Sequence, residues 1–308
     1  MNYVISKKID FLFIKFPILF PLSYFLFLFY FPHYEDYLIL FTLLFLAEPH
    51  FGATWPFMID KSNSYIKKEN SLTFILIPII ICLFCLVGFF YFRNLFFLIF
   101  YLANFFHVTR QSSGISKLYI KDINQKKFQE VSIYIYGSVL FLIGFLRFYY
   151  PIINEDHIFI INIFMIFLLS IFLIIHLKFY GSNEIFPFIT GMIIFYPICF
   201  VTNPIHAIIM GVTMHYSQYL ILTYQIKSRR NIFNSKKIKY YFFVFVFAYG
   251  ITMTSFSSLG NNANSIVQHL IIIPIIGQMI HFYLDSFLWK FSNENVRVST
   301  LPFIFEKK

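Results

Sequence analysis

Four histidines, His50, His107, His215 and His281, each lie inside an apolar run of this sequence. An imidazole in hydrocarbon is costly, usually faces the interior of a helix bundle, and marks function by default. Several imidazoles converging from different helices suit Fe, Zn, Cu or Ni. Each histidine also has polar company at helical spacing, where residues three or four apart share a face. Asn104, His107 and Gln111 form one stripe, His215 and Gln218 a second, and Gln278, His281 and Asp285 a third. Around His50 the text is EPHFGATW, with Glu48 two residues before and Thr54 one turn on. A metal-bound imidazole normally gives its second N–H to a carboxylate or carbonyl. Glu48, Gln111, Gln218 and Asp285 are therefore candidate supports or extra ligands. Gly211 and Gly277 are small enough to let helices approach closely. Pro49 opens the hydrogen-bond ladder beside His50. The competing reading is four unrelated hydrogen bonds between helices.

The elements that carry these residues must be membrane helices. The chain has 308 residues, 59% of them hydrophobic and only 12% charged, about half the charged fraction of a soluble domain. Its mean hydropathy is +0.72. A span needs about 20 apolar residues, and ten runs qualify: 10–31, 36–58, 72–91, 94–112, 131–150, 158–179, 185–201, 204–225, 239–256 and 265–289. The seventh carries Pro187 and Pro197 and is expected to be broken or re-entrant. The segments 59–71, 113–130 and 226–238 are rich in Lys and Arg, for example Lys67, Lys121 and Arg229, and Lys307 and Lys308 close the chain. The intervening segments are acidic or neutral. That alternation fits ten crossings, and the positive-inside rule places both termini in the cytoplasm.

The expected architecture is an all-α polytopic bundle in one transmembrane domain, 1–308. Residues 1–35 add an N-terminal helix, 36–290 form the bundle with the histidine layer, and 291–308 form a cytoplasmic tail. The net charge of +10 belongs to the short loops and implies no nucleic-acid partner. Cys82, Cys85 and Cys199 lie in apolar runs, as small hydrophobes do. The four histidines sit on spans two, four, eight and ten, which run in the same direction. At about 1.5 Å per residue, their depths agree within roughly 8 Å, so they share one layer in the cytoplasmic half of the membrane.

The order P-H-F-G-A-T at His50, F-H-V at His107, M-H-Y-S-Q-Y at His215 and I-H-F-Y-L-D at His281 resembles the Brp/Blh family of bacterial membrane dioxygenases, which cleave β-carotene to retinal. Members carry P-H-G-x-x-D, H-F-G, H-x-x-x-H and P-H-x-x-x-x-D motifs. The resemblance covers residues 45–290 and carries over the four histidines and, loosely, Asp285. Here Thr54 replaces the first motif's Asp and Tyr219 replaces the second His of H-x-x-x-H. Asp285 follows its histidine by four positions rather than five, and HVTRQ replaces the H-F-G text. The resemblance implies a bacterial cytoplasmic membrane and a related four-histidine metal site.

The leading expectation is a membrane-embedded non-haem iron oxygenase. Fe(II), ahead of Zn or Cu, would be bound by His50, His107, His215 and His281. Asp285, Gln111 and Gln218 would orient the imidazoles and Tyr219 would line the pocket. The substrate would be a hydrophobic small molecule from the bilayer, such as a carotenoid, a polyene or a lipid chain, because a metal sunk in lipid meets hydrophobes readily. The alternative is a transporter or channel that uses the polar layer as its path, for which the broken seventh span would serve. Membrane lipid is a partner in either case, and the sequence carries no signal of oligomeric state.

Overall fold

A computed structural model describes residues 4–64, 68, 71–182, 184–230, 235–262 and 266–305. Lys67, Lys307 and Lys308, used above for orientation, lie outside them. The described residues form eleven helices: α1 (Lys7–Tyr30), α2 (Pro32–Ile59), α3 (Ser71–Tyr91), α4 (Arg93–Leu118), α5 (Ile123–Tyr149), α6 (Glu155–Tyr180), α7 (Ile185–Ile193), α8 (Pro204–Arg230), α9 (Ser235–Asn262), α10 (Ile272–Leu288) and α11 (Glu294–Ile304).

Among the described residues, seven segments are long and apolar enough to cross a membrane: α1, α2, α5, α6, and the stretches Leu72–Tyr91, Lys239–Leu259 and His269–Leu288. The chain therefore reads as a multi-pass membrane protein. The other three expected spans differ in kind. α4 and α8 have ample length, 26 and 27 residues, but carry too many polar side chains to qualify on hydropathy. They are the helices that bear His107 and His215. The expected span 185–201 is the nine-residue α7 followed by a tight turn, Tyr196–Cys199.

The chain divides into two compact units: residues 1–35 with 105–218, and residues 36–104 with 219–308. In the first, α5 and α7 pack together. Asp10 is fully buried and accepts the backbone N–H groups of Val4 and Ile5 at 2.7 and 2.9 Å and the Tyr119 hydroxyl at 3.2 Å. This ties the amino-terminal segment to the end of α4. The turn after α7 frees backbone carbonyls that lipid cannot satisfy. Arg147 donates to Ile198 O at 2.6 Å and Asn162 to Cys199 O at 3.1 Å. These two polar side chains, set in apolar helices, thus stabilise the break.

At Gly211 on α8, an added Cβ would lie 1.7 Å from Ile194 O. No side chain fits there, because the obstacle is backbone. Gly211→Ala is expected to lower stability by about 3 kcal/mol or more, read as a lowered melting temperature in detergent. Gly114→Ala is the control. Nothing lies within 4 Å of the corresponding position, and the change is expected to be neutral or slightly stabilising.

In the second unit α9 lies along α2, and α10 lies against α2 and α3. Pro49 cannot donate to the helix ladder. The wide turn Leu43–Ala47 just before it absorbs the defect, with Glu48 N–H reaching back to Leu43 O. Such bulges recur where a helix must re-aim a side chain. One apolar cluster joins Cys85, Phe89, Phe96, Ile272 and Ile275. A second joins Ala53, Tyr219, Phe242 and Val246, with Trp289 packed on it.

Below α2 is an ionic knot. Asp60, just past the helix end, accepts Lys227 Nζ at 2.6 Å and Ser62 N at 3.0 Å, with Arg230 Nη1 at 3.9 Å. Burial pushes the Asp60 carboxyl up, but the Lys227 and Ser62 contacts outweigh it and hold the group below the usual carboxylate value. A carboxyl lowered in this way stabilises the fold above its unfolded value, about 3.9, and the contribution is lost as pH falls through the folded value. The melting temperature is expected to drop steeply below about pH 4, and Asp60→Asn is expected to flatten that acid limb while lowering stability at neutral pH.

Candidate metal centre

His50 and Thr54 are one turn apart on α2, and His281 and Asp285 are one turn apart on α10, so each pair shares a helix face. Tyr219 comes from α8. All five belong to the second unit and are buried, His50, Thr54 and His281 completely. Thr54 is the hub. Its Oγ1 lies 2.6 Å from His281 Nδ1, 2.7 Å from the Tyr219 hydroxyl and 3.2 Å from Asp285 Oδ1. Tyr219 donates to the same Asp285 oxygen at 2.8 Å.

The network admits a tautomer of His281 that leaves Nε2 available to bind an ion. With Nδ1–H of His281 donating to Thr54, the threonine proton and the tyrosine proton both go to the carboxylate. The Nε2 lone pair of His281 is then directed away from the network. It sits 3.6 Å from Asp285 Oδ2, beyond hydrogen-bond range. Two donors about 2.1 Å from one ion stand roughly 3–3.6 Å apart for bond angles of 90–120°. The spacing therefore fits two ligands of a single metal.

His50 completes the cluster. Its ring centroid is 4.7 Å from that of His281 and 4.3 Å from that of Tyr219. Phe51 stands over His281 at 5.0 Å, and Trp289 packs on Tyr219 at 5.7 Å and on Phe57 at 5.5 Å. These rings keep water from the polar core, which strengthens every interaction inside it. Glu48, a candidate partner of His50, instead accepts Gln278 Nε2 at 3.2 Å.

In the first unit, the rings of His107 and His215 are 6.0 Å apart and nearly perpendicular. Gln218 donates its amide N–H to Ile14 O at 2.9 Å, the carbonyl three residues before Pro17, so that donor holds α1. Gln111 is half-buried on the same stripe as His107. One nitrogen each from His50, His107 and His281 lies within 4.8 Å of the others, and all three residues are buried; this histidine triad can hold a metal ion.

The remaining buried histidines have other employment. His206 lies 2.8 Å from the Tyr24 hydroxyl and 3.3 Å from Glu35. His176 is fully buried against Gln129 at 2.8 Å. Sequence reasoning treated Thr54 mainly as a missing Asp and did not see it as the hub. The available signal was its spacing of four residues from His50.

No family model matches the chain, and no curated protein or solved structure is significantly similar to it.

Proposed function

We propose that this chain is a multi-pass membrane metalloenzyme, a non-haem iron oxygenase acting on a long apolar molecule drawn from the bilayer. One observation carries the reading. His281 is locked through Nδ1 to Thr54 at 2.6 Å while its Nε2 stands 3.6 Å from the Asp285 carboxylate, with the His50 ring alongside. Two imidazoles and a carboxylate that leave coordination positions open are the donor set of non-haem Fe(II) oxygenases. His107 would add a further nitrogen, and His215 is the proposed fourth imidazole.

The roles follow from chemistry. His50, His107 and His281 would bind the ion, and Asp285 would bind it or balance its charge. Thr54 holds His281 in the binding tautomer. Tyr219 pins the Asp285 carboxylate and lines the pocket. Gln111 contacts substrate, and the Oε1 of Gln218 supports His215. Iron, when bound, supplies the activation of O2. The surrounding Phe51, Phe57 and Trp289 rings exclude water and suit a carotenoid, a polyene or a lipid chain. Fe(II) is preferred to Cu because the donor set includes a carboxylate and no thiolate or thioether; Zn also takes two imidazoles and a carboxylate, and the oxygen-18 experiment separates the two.

The test is anaerobic loading with Fe(II), then incubation with a polyene under oxygen-18 gas and mass spectrometry of the products. Label in a cleaved or hydroxylated product is expected from the iron-loaded protein and not from the zinc-loaded one. Equal turnover by metal-free protein, or none by the iron form, overturns the reading.

A further inference from the structure

The metal centre uses only one face of α2. Successive residues of a helix turn by about 100°, so Glu48 lies on the opposite side of α2 from His50, two positions on. Glu48 is completely buried. Its Oε1 accepts Gln278 Nε2 of α10 at 3.2 Å, and its Oε2 has no hydrogen-bond partner among the described residues. A carboxylate in hydrocarbon is held by a base or by a bound cation, and the partner here is a neutral amide.

The same junction of the second unit gathers further oxygens. Glu48 N–H goes to Leu43 O and Pro49 has no N–H, so the helix leaves Leu44 O without its usual donors. That carbonyl is turned to α9, where a Cβ at Gly250 would stand 3.1 Å from it. Tyr249, the residue before, enters between α2 and α10. A Cβ at Gly52 would meet its ring at 2.9 Å, and one at Gly277 would meet its hydroxyl at 2.7 Å. Only glycine admits the phenol there, beside Gln278. One turn past Gly250, on the same side of α9, Thr254 is buried, and its Oγ1 also has no hydrogen-bond partner among the described residues. Its neighbours bond their own helix instead, Thr252 to Ala248 O at 2.9 Å and Ser255 to Ile251 O at 2.8 Å.

Carboxylate, carbonyl and hydroxyl oxygens are the ligands of hard cations. One negative charge balances a monovalent ion, and carbonyls freed at a break in a transmembrane helix are recurring sodium ligands. We propose that the α2–α9–α10 junction binds one monovalent alkali cation on Glu48 Oε2, with Leu44 O, the Tyr249 hydroxyl and Thr254 Oγ1 as neutral donors. The site is separate from the histidines and stands whether or not the protein is an oxygenase.

The test is thermal unfolding of the full chain in detergent. Sodium or potassium chloride replaces choline chloride at constant ionic strength, with a chelator of divalent ions present. The melting temperature of the wild type is expected to rise and saturate, by roughly 5 °C at a hundredfold excess of the better ion over its midpoint. Glu48→Gln keeps the shape, removes the charge, and is expected to melt at one temperature in every salt. Thr254→Val is expected to raise the midpoint about tenfold, and it carries the test if Glu48→Gln does not fold. His281→Ala is expected to keep the full response, which separates this site from the metal centre. A wild type that melts alike in alkali and choline salts, a folded Glu48→Gln variant that still responds, or a Thr254→Val variant with an unchanged midpoint overturns the proposal. So does loss of the response in His281→Ala.

Discussion

His281→Ala is expected to empty the metal centre. Elemental analysis of purified wild-type protein should find about one ion per chain, and the variant should fall close to background. The imidazole removed is anchored by Thr54, whose Oγ1 lies 2.6 Å from its Nδ1. It also stands 3.6 Å from the carboxylate that would share the ion. A zinc site built from four ligands is held by about 10–16 kcal/mol, so losing one ligand costs roughly 3 kcal/mol, more than a hundredfold in affinity. His33→Ala is the matched control. His33 is exposed and its removal should leave the metal content unchanged. Equal metal in His281→Ala and wild type would end the metal reading.

Thr54→Val should produce the second-largest effect with almost no change of shape. The hydroxyl that His281, Tyr219 and Asp285 share is lost, and a methyl takes its place. Metal affinity, measured by competition with a chelator, is expected to fall about 10–100-fold, the usual consequence of losing an outer partner of a ligating histidine. The fold should also lose roughly 1–3 kcal/mol, because Nδ1 of a completely buried imidazole is left without its partner. Thr54→Ser restores the hydroxyl and should recover most of the affinity. A threonine that only filled space would predict the opposite ranking, with valine the better substitute on volume alone.

Much of the centre could be read from the sequence, and the unread part has a physical cause. His281 and Asp285, four residues apart on one helix, stand out wherever a helix is expected, and the structure sets them side by side. His50 and His107 stand out because imidazoles are rare in apolar runs. Thr54 is harder to see. A threonine in a membrane helix most often bonds its own backbone, as Thr42 does with Leu38 O at 2.8 Å, and no local pattern tells that use from a tie to a residue far along the chain. Gln218 was read as support for a neighbouring imidazole. Its donor goes instead to Ile14, on a helix more than two hundred residues earlier in the chain, because the wide turn at Phe11–Lys15 ahead of Pro17 leaves a carbonyl to be satisfied. The polar residues that draw attention to α4 and α8 also take those helices below the hydropathy of a simple span. A window average cannot separate a helix unfit for lipid from one that keeps its polar face inward. His176 illustrates the same limit, since its burial depends on Gln129 of α5.

The wide turn at Leu43–Ala47 sets the azimuth of everything below it. Successive residues of a helix are rotated by about 100°, so deleting one residue from that turn would swing the histidine and the threonine of α2 together, a quarter-circle and more, toward the acyl chains. Point changes in the five-residue stretch LLFLA should be tolerated according to volume alone, whereas any change in its length should be fatal. Those five apolar residues act as a phase-setting spacer whose number matters more than their identity.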